Sequence, residues 1–298
     1  MSERLEHLAA SFRRDLRAEG KAERTTVIYG QSIRFFGDWL VSQGREATLD
    51  ELTRSAIREW LVDLGTRNSP GTVRTRFKGL RRFVSWLVSE EIVATDVMKG
   101  MEEPPEPRTP VAIITDDQLA AIVKACGKTF DGRRDEALVR LLLDCGLRVA
   151  ELCALKVEDV DLETETAVVT GKGSKVRHVY FSAKTARALD RYQRVRGQHR
   201  LARQTDAFFL SQRGPLSTDG ARYRVEVLAK AAGIKGGLNP HKFRHTFAHD
   251  FLVSGGQERD LKRLAGWTSD SMLERYGASA ADMRAATAAR RLGRGNRV

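Results

Sequence analysis

The chain has 298 residues, 41% of them hydrophobic, which is enough for two modest cores and too apolar for a disordered chain. No uncharged apolar run approaches the ~18 residues of a membrane span, which excludes a helical membrane protein, and the charges between Glu3 and Arg17 break up any secretory h-region, so the protein is expected inside the cell. The net charge is +12, and its distribution shows where a polyanion could lie; three cysteines, Cys126, Cys145 and Cys153, without a C-x-x-C pair, read as reduced core residues rather than a disulfide or zinc framework.

In chain order, the first hundred residues read as helices. Ile28, Ser32, Phe35, Phe36, Trp39 and Leu40 share one face, with Gly44 as a stop, and a second helix fits residues 53–64. Ser69-Pro70 is an N-cap followed by a first-turn proline, after which Val73, Phe77, Leu80, Val84 and Leu87 recur at helical spacing. Between these apolar positions lie Arg74, Lys78, Arg81 and Arg82, so one face can pack while another meets phosphate; a solvated basic face is the plain alternative. Residues 101–110 then contain four of the seven prolines and read as a stiff linker.

Beyond the linker, Thr115 begins a helix, and residues 135–144 carry an apolar helical run that stops at Gly146, with a new helix from Val149. Residues 157–160, 167–170 and 176–181 are β-rich, the last two separated by the glycine-containing turn 171–175. Helical patterns return over residues 183–195, 218–232, 240–254 and 258–264. The fold class is therefore mainly α with a small antiparallel β-sheet, in two domains, and the second domain carries nearly all the excess positive charge.

Four groups of residues suggest chemistry. Asn239-Pro240 caps a helix whose first turns hold His241 and Arg244 on one face, where free N–H groups and the positive dipole end favour an anion; a capped surface helix with incidental polar residues is the alternative. A metal held by His241 and His245 lacks a third ligand. Arg148 sits in the break between two apolar helices, where its guanidinium presents a fixed fork suited to a phosphate, unless it merely pairs with Glu151. Lys172, in the turn, either donates a proton to a leaving oxygen or is simply solvated. Tyr276 ends a helical segment just before Gly277, where most tyrosines are packed.

Together, Gly-Leu-Arg148-x-x-Glu-Leu, Gly-Lys172-Gly-x-Lys175-x-Arg177, His241-x-x-Arg244-His-x-Phe-Ala, Leu-Ala-Gly-Trp267 and Tyr276, in this order and spacing, resemble the tyrosine recombinase (phage integrase) family. The resemblance implies a helical core-binding domain over 1–101, a Pro-rich linker over 102–112 and a mixed α+β catalytic domain with a C-terminal tail over 113–298. It implies that Tyr276 attacks a DNA phosphodiester, Arg148 and Arg244 stabilise the transition state, His241 serves as base, Lys172 as acid, and Trp267, where histidine is more usual, packs on the site. The charge distribution adds Arg74, Lys78, Arg81, Arg82, Lys175 and Arg177 as the expected DNA contacts. No cofactor and no metal are implied, since the arginines and lysine bring the charge a divalent ion would supply.

The expected partner is double-stranded DNA with recombination core sites, engaged by a homotetramer on two duplexes, with a directionality factor as an optional further partner and no membrane. The expected location is the cytoplasm, at the nucleoid. The Leu-Ala-Gly-Trp run tilts the reading to a phage or mobile-element integrase over a Xer-like chromosome-dimer resolvase. A non-catalytic DNA-binding protein of the same fold would have no chemical reason to keep all six catalytic positions filled. The tail from Ala278 is expected to dock on a neighbouring protomer.

Overall fold

A computed structural model describes residues 3–105, 112–171, 173–293 and 295, and at positions 271, 274–280, 282 and 283 it describes the backbone alone. The chain divides into two compact units, residues 1–108 and 109–298.

The first unit packs four helices, α1 (Leu5–Ala18), α2 (Glu23–Ser42), α3 (Arg54–Arg67) and α4 (Pro70–Ser89). Ser69 caps α4 by accepting the Thr72 N–H, and Pro70 follows where its missing N–H costs no helical bond. The apolar stripe of α4 is buried along its length: Phe77, Leu80 and Leu87 are fully covered, and Val73 and Val84 nearly so. Phe12 of α1 meets Phe83 and Trp86 at 5.4 Å between ring centres, and Phe36 of α2 meets Trp60 of α3 at 5.3 Å. Each such ring removes a large apolar area from water, which is what holds a unit this small together.

The second unit begins with α5 (Asp116–Cys126), whose capping box pairs Thr115 with Gln118, and α6 (Phe130–Cys145), capped by Thr129. Gly146 ends α6 in the left-handed region at φ 56°, and α7 (Val149–Ala154) starts three residues later. The sheet follows: β1 (Val160–Asp161), β2 (Thr166–Thr170) and β3 (Val176–Tyr180), antiparallel in the order β1-β2-β3, with Thr166 opposite Tyr180 and Thr170 opposite Val176. Residues 157–160, expected as strand, instead form a 3-10 turn over Val157–Asp159 and only then join the sheet. The cause is local: Asp159 reaches back to accept the Lys156 N–H at 2.8 Å and closes the turn.

The remainder comprises α8 (Ala183–Gly197), a short hairpin of β4 (Leu210–Ser211) and β5 (Gly214–Pro215), α9 (Thr218–Ala231), α10 (Pro240–Val253), α11 (Glu258–Ala265) and α12 (Asp270–Leu292). Leu138, Leu142, Leu152, Leu189, Phe208, Phe209 and Phe243 centre its main core, and Leu252, Leu261, Ala265 and Trp267 form a smaller one beneath α10 and α11. The tail expected to dock on a neighbour is the later part of α12; α12 packs on α10, and Arg284 pairs with Glu258 of α11 at 2.8 Å.

Cys126 and Cys145 are buried and reduced, and Cys153 is half-buried and reduced. Burial pushes the Cys126 thiol up to about 12 and that of Cys153 to about 11, so both are inert at neutral pH. Among the described residues, no helix is long and apolar enough to cross a membrane.

Candidate functional site

Three arginines of the second unit, Arg148, Arg177 and Arg244, meet at two breaks in helical structure, residues 146–148 between α6 and α7 and residues 266–269 with the end of α11 that leads into them. Each break turns at a left-handed glycine, Gly146 (φ 56°) and Gly266 (φ 63°). A helix C-terminus leaves its last carbonyls without partners and carries a partial negative charge. At α11 three successive carbonyls each accept from a different arginine: Leu264 from Arg177 Nε at 2.8 Å, Ala265 from Arg244 Nη2, and Gly266 from Arg148 Nη2 at 3.4 Å.

Arg148 is the N-cap of α7. Its Nη1 donates to Glu151 Oε1 at 2.8 Å and its backbone N–H to Oε2 at 2.9 Å, so Glu151, one turn on, holds both ends of the residue. The Arg148 side chain is 36% exposed and, beyond Glu151 and Gly266, the described residues hold none of its remaining donors. Arg244 is more enclosed. It is 1% exposed, donates to the Gly146 and Ala265 carbonyls, and lies 5.4 Å from the centre of the Trp267 ring. The two guanidiniums are thus seated on the same pair of loops.

Glu151 is buried. Burial alone would push its carboxyl up; the Arg177 guanidinium, the Arg148 N–H and the Arg148 side chain reverse that and hold it at about 2, ionised at any physiological pH. Arg177, expected among the DNA contacts from its place in the basic motif, is turned into the unit in this structure. Its side chain is 12% exposed, and Nη1, Nη2 and Nε are all engaged inside the unit, on Glu151 and Leu264. A charge on a strand beside a basic turn reads as a DNA contact until the fold brings a carboxylate from 26 residues away.

His241 is exposed in the first turn of α10, which Asn239 caps by accepting the Lys242 N–H at 3.1 Å. Its ring centre is 6.3 Å from that of buried His245, edge to face, and among the described residues no group of three His, Cys, Asp or Glu side chains is placed to hold a metal ion. Trp267 is nearly buried in the first residues after α11. Tyr276 falls within α12, but its side chain lies outside the described residues, as does Lys172 entirely. Lys175 is exposed in the same turn, its carbonyl accepting the Gly171 N–H at 2.8 Å.

In the first unit the four α4 residues expected at DNA, Arg74, Lys78, Arg81 and Arg82, all have partners within the unit. Arg74 and Lys78 both pair with Glu103, Arg81 donates to the Met101 carbonyl and stacks on Phe77 at 4.4 Å, and Arg82 pairs with Glu19. The start of the Pro-rich stretch therefore folds back on α4 and neutralises part of its charge.

Comparison with known proteins extends these observations over the whole chain. The profile described as "Phage integrase family" matches residues 112–283, and "Phage integrase, N-terminal SAM-like domain" matches residues 8–93. The tyrosine recombinase XerC of Myxococcus xanthus is 32% identical over 280 residues, covering 91% of this chain and 93% of the relative. Among solved structures, XerH site-specific recombinase bound to a palindromic difH substrate superposes with a TM-score of 0.74 at 18% identity, covering 88% of this chain and 78% of that one. A lambda integrase tetramer bound to a Holliday junction superposes with a TM-score of 0.71 at 17% identity, covering 89% and 77%. A profile matched across most of the second unit, and a relative 32% identical nearly end to end, establish that this chain belongs to the phage integrase family and is a tyrosine site-specific recombinase.

Proposed function

We propose that this recombinase cuts and rejoins double-stranded DNA at core sites through a 3′-phosphotyrosyl intermediate, with residues 113–298 as the catalytic domain and residues 1–101 as the core-binding domain. The observation that carries the reading is the seating of Arg148 and Arg244 on the same two loops, with His241 one turn before Arg244 on α10. A phosphodiester gains a second negative charge on its way to the five-coordinate transition state, so fixed cations at its equatorial oxygens favour that state over the ground state. Arg148 offers the donors that Glu151 and Gly266 leave over. Arg244 is covered in the free protein, so DNA engagement is expected to open a path to it.

In the chemical step the Tyr276 oxygen forms a bond to phosphorus as the bond to the 5′-oxygen breaks. The phenol titrates near ~10 when unperturbed, so its proton must leave during attack, and exposed His241 is the base. Lys172 protonates the departing 5′-oxygen. The phosphotyrosyl diester conserves the energy of the broken bond, so a second 5′-hydroxyl can reverse the step without ATP. Trp267 packs against Arg244 and keeps that side of the site dry. On DNA, phosphate replaces Glu103 and Glu19 as the partner of Arg74, Lys78 and Arg82, with Arg81 and Lys175 alongside.

Strand exchange between two duplexes requires four active subunits, so a homotetramer is the working assembly; lambda integrase is seen as a tetramer on a Holliday junction. The near end-to-end match to XerC favours a Xer-like role in resolving chromosome dimers. Integration of a phage or mobile element, with a directionality factor choosing between insertion and excision, rests on the Leu-Ala-Gly-Trp267 run. Recombination between two directly repeated chromosomal sites without accessory protein supports the first role; recombination only between unlike sites supports the second.

The decisive experiment is Tyr276→Phe on a nicked core-site duplex. The variant is expected to bind DNA within a few-fold of wild type and to form no covalent adduct on a denaturing gel. An adduct from the Phe variant would overturn the assignment of the nucleophile.

A further inference from the structure

We infer that Arg177 is the positioning residue that aims Arg148 at the phosphate; the inference rests on the recombinase mechanism proposed above. Arg148 is oriented by two acceptors, the Glu151 carboxylate and the Gly266 carbonyl. Arg177 fixes both. Its Nη1 and Nη2 donate to Oε1 and Oε2 of Glu151 at 3.0 and 2.8 Å, a two-pronged grip that prevents the carboxylate from rotating. Its Nε donates to the Leu264 carbonyl at 2.8 Å, two residues before Gly266, and so holds the loop that carries the second acceptor.

The sharing of Glu151 gives this grip a catalytic consequence. The carboxylate accepts four donors, two on each oxygen, from Arg148 Nη1, the Arg148 N–H and the two Arg177 nitrogens. Four is about what two carboxylate oxygens can take. Arg177 fills one lone pair on each oxygen, so the Arg148 side chain is left with a single prong on Glu151 and keeps its other donors for a ligand. Without Arg177, a buried carboxylate would draw both prongs of Arg148 inward, because an ion buried with too few partners is costly. Gly266 belongs to the same device: a Cβ there would sit 3.1 Å from Arg177 Nη1, so glycine leaves room for the guanidinium beneath the loop.

Two variants and one background separate aiming from charge balance. Arg177→Met is expected to slow formation of the covalent adduct by about 10- to 100-fold, the range for a catalytic group displaced by about 1 Å, with half-site affinity within 3-fold. Arg177→Lys keeps a positive charge beside Glu151, which protects folding, but cannot span both oxygens and Leu264. It is expected to remain at least 10-fold slow. Adduct formation by Arg177→Lys at the wild-type rate would overturn the inference in favour of simple neutralisation.

In an Arg148→Ala background, measured on a 5′-phosphorothiolate substrate to lift the residual rate, Arg177→Lys should cost less than 2-fold more. Losses that multiply would place the action of Arg177 elsewhere and also overturn the inference. A crystal structure of Arg177→Lys gives a readout independent of reaction: the hydrogen bond from Arg148 Nη2 to the Gly266 carbonyl should be broken, and its retention would overturn the inference. Absence of any adduct from the wild type, with that hydrogen bond broken in the variant, would overturn the recombination mechanism alone.

Discussion

Gly146→Ala tests whether the α6–α7 break is built as described. Gly146 occupies the left-handed region at φ 56°, which costs a residue with a Cβ about 1–2 kcal/mol. The new Cβ would overlap Cδ1 of Phe247 and lie 2.8 Å from Cγ and 3.0 Å from Cε1 of the same ring, so the ring or the loop must move by about an ångström. Overpacking of this kind costs about 1–3 kcal/mol. The expected loss is about 3 kcal/mol, which for a unit of this size lowers Tm by roughly 6–12 °C. Calorimetry of the full chain reads it, with hydrogen exchange at α6 and α10 assigning the transition to the second unit. In a Phe247→Ala background the same substitution should cost only the backbone share, about 1–2 kcal/mol. An equal cost in both backgrounds, or a loss below about 1 kcal/mol in the wild type, would refute the reasoning. Because the Gly146 carbonyl also seats Arg244, adduct formation should fall with stability.

The remaining expectations concern the charged groups. Arg148→Ala and Arg244→Ala should each lower adduct formation by roughly 10²-fold or more, the effect of removing one fixed charge-stabilising donor; lysine should restore neither, and near-normal cleavage by either alanine variant would leave that arginine a structural role only. A carboxyl held at about 2 instead of 4.5 contributes stability that is present above pH 4.5 and lost as pH falls toward 2, about 3 kcal/mol for buried Glu151. The gap in unfolding free energy between wild type and Glu151→Gln should therefore shrink by that amount between pH 6 and pH 2, and a constant gap would argue against the guanidinium anchor. Lys172→Ala should be severely slow on ordinary DNA and close to wild type when the 5′-bridging oxygen is replaced by sulfur, whose thiol leaves without protonation. Lys175→Ala should show a small, equal loss on both substrates, and the reverse pattern would exchange the two roles.

The parts of this architecture readable in advance are those written in short-range chemistry. Ser69-Pro70, Thr115 and Asn239-Pro240 begin helices because each supplies an acceptor for a free N–H a few residues on, and Gly146 ends one because it tolerates the left-handed turn. Local propensity failed at residues 157–160, where Asp159 outweighs β-branched neighbours by closing a turn on Lys156. The site divides in the same way. Arg148 stood out because it lies in a helix break, and Glu151 because it is one turn away. Arg177 reads as a DNA contact because a charge carries no mark of its partner, and Glu151, which it grips in this structure, is distant in sequence. The fold-back of Glu103 onto Arg74 and Lys78 was hidden for the same reason. The Leu264, Ala265 and Gly266 carbonyls were beyond any reading of side-chain motifs, since every residue has one.

That last feature bears on how freely the protein can change over generations. Acceptors supplied by peptide groups survive any substitution that leaves the helix end in place, so the seat of the three arginines is indifferent to the chemistry of the side chains at 264 and 265, apart from the fit of Ala265 in the small core below. Only position 266 is doubly bound, by its left-handed backbone and by the Arg177 guanidinium beside it. Sequences can therefore drift around this turn while the arginines keep their places, and selection at the turn acts on its shape and on a single glycine.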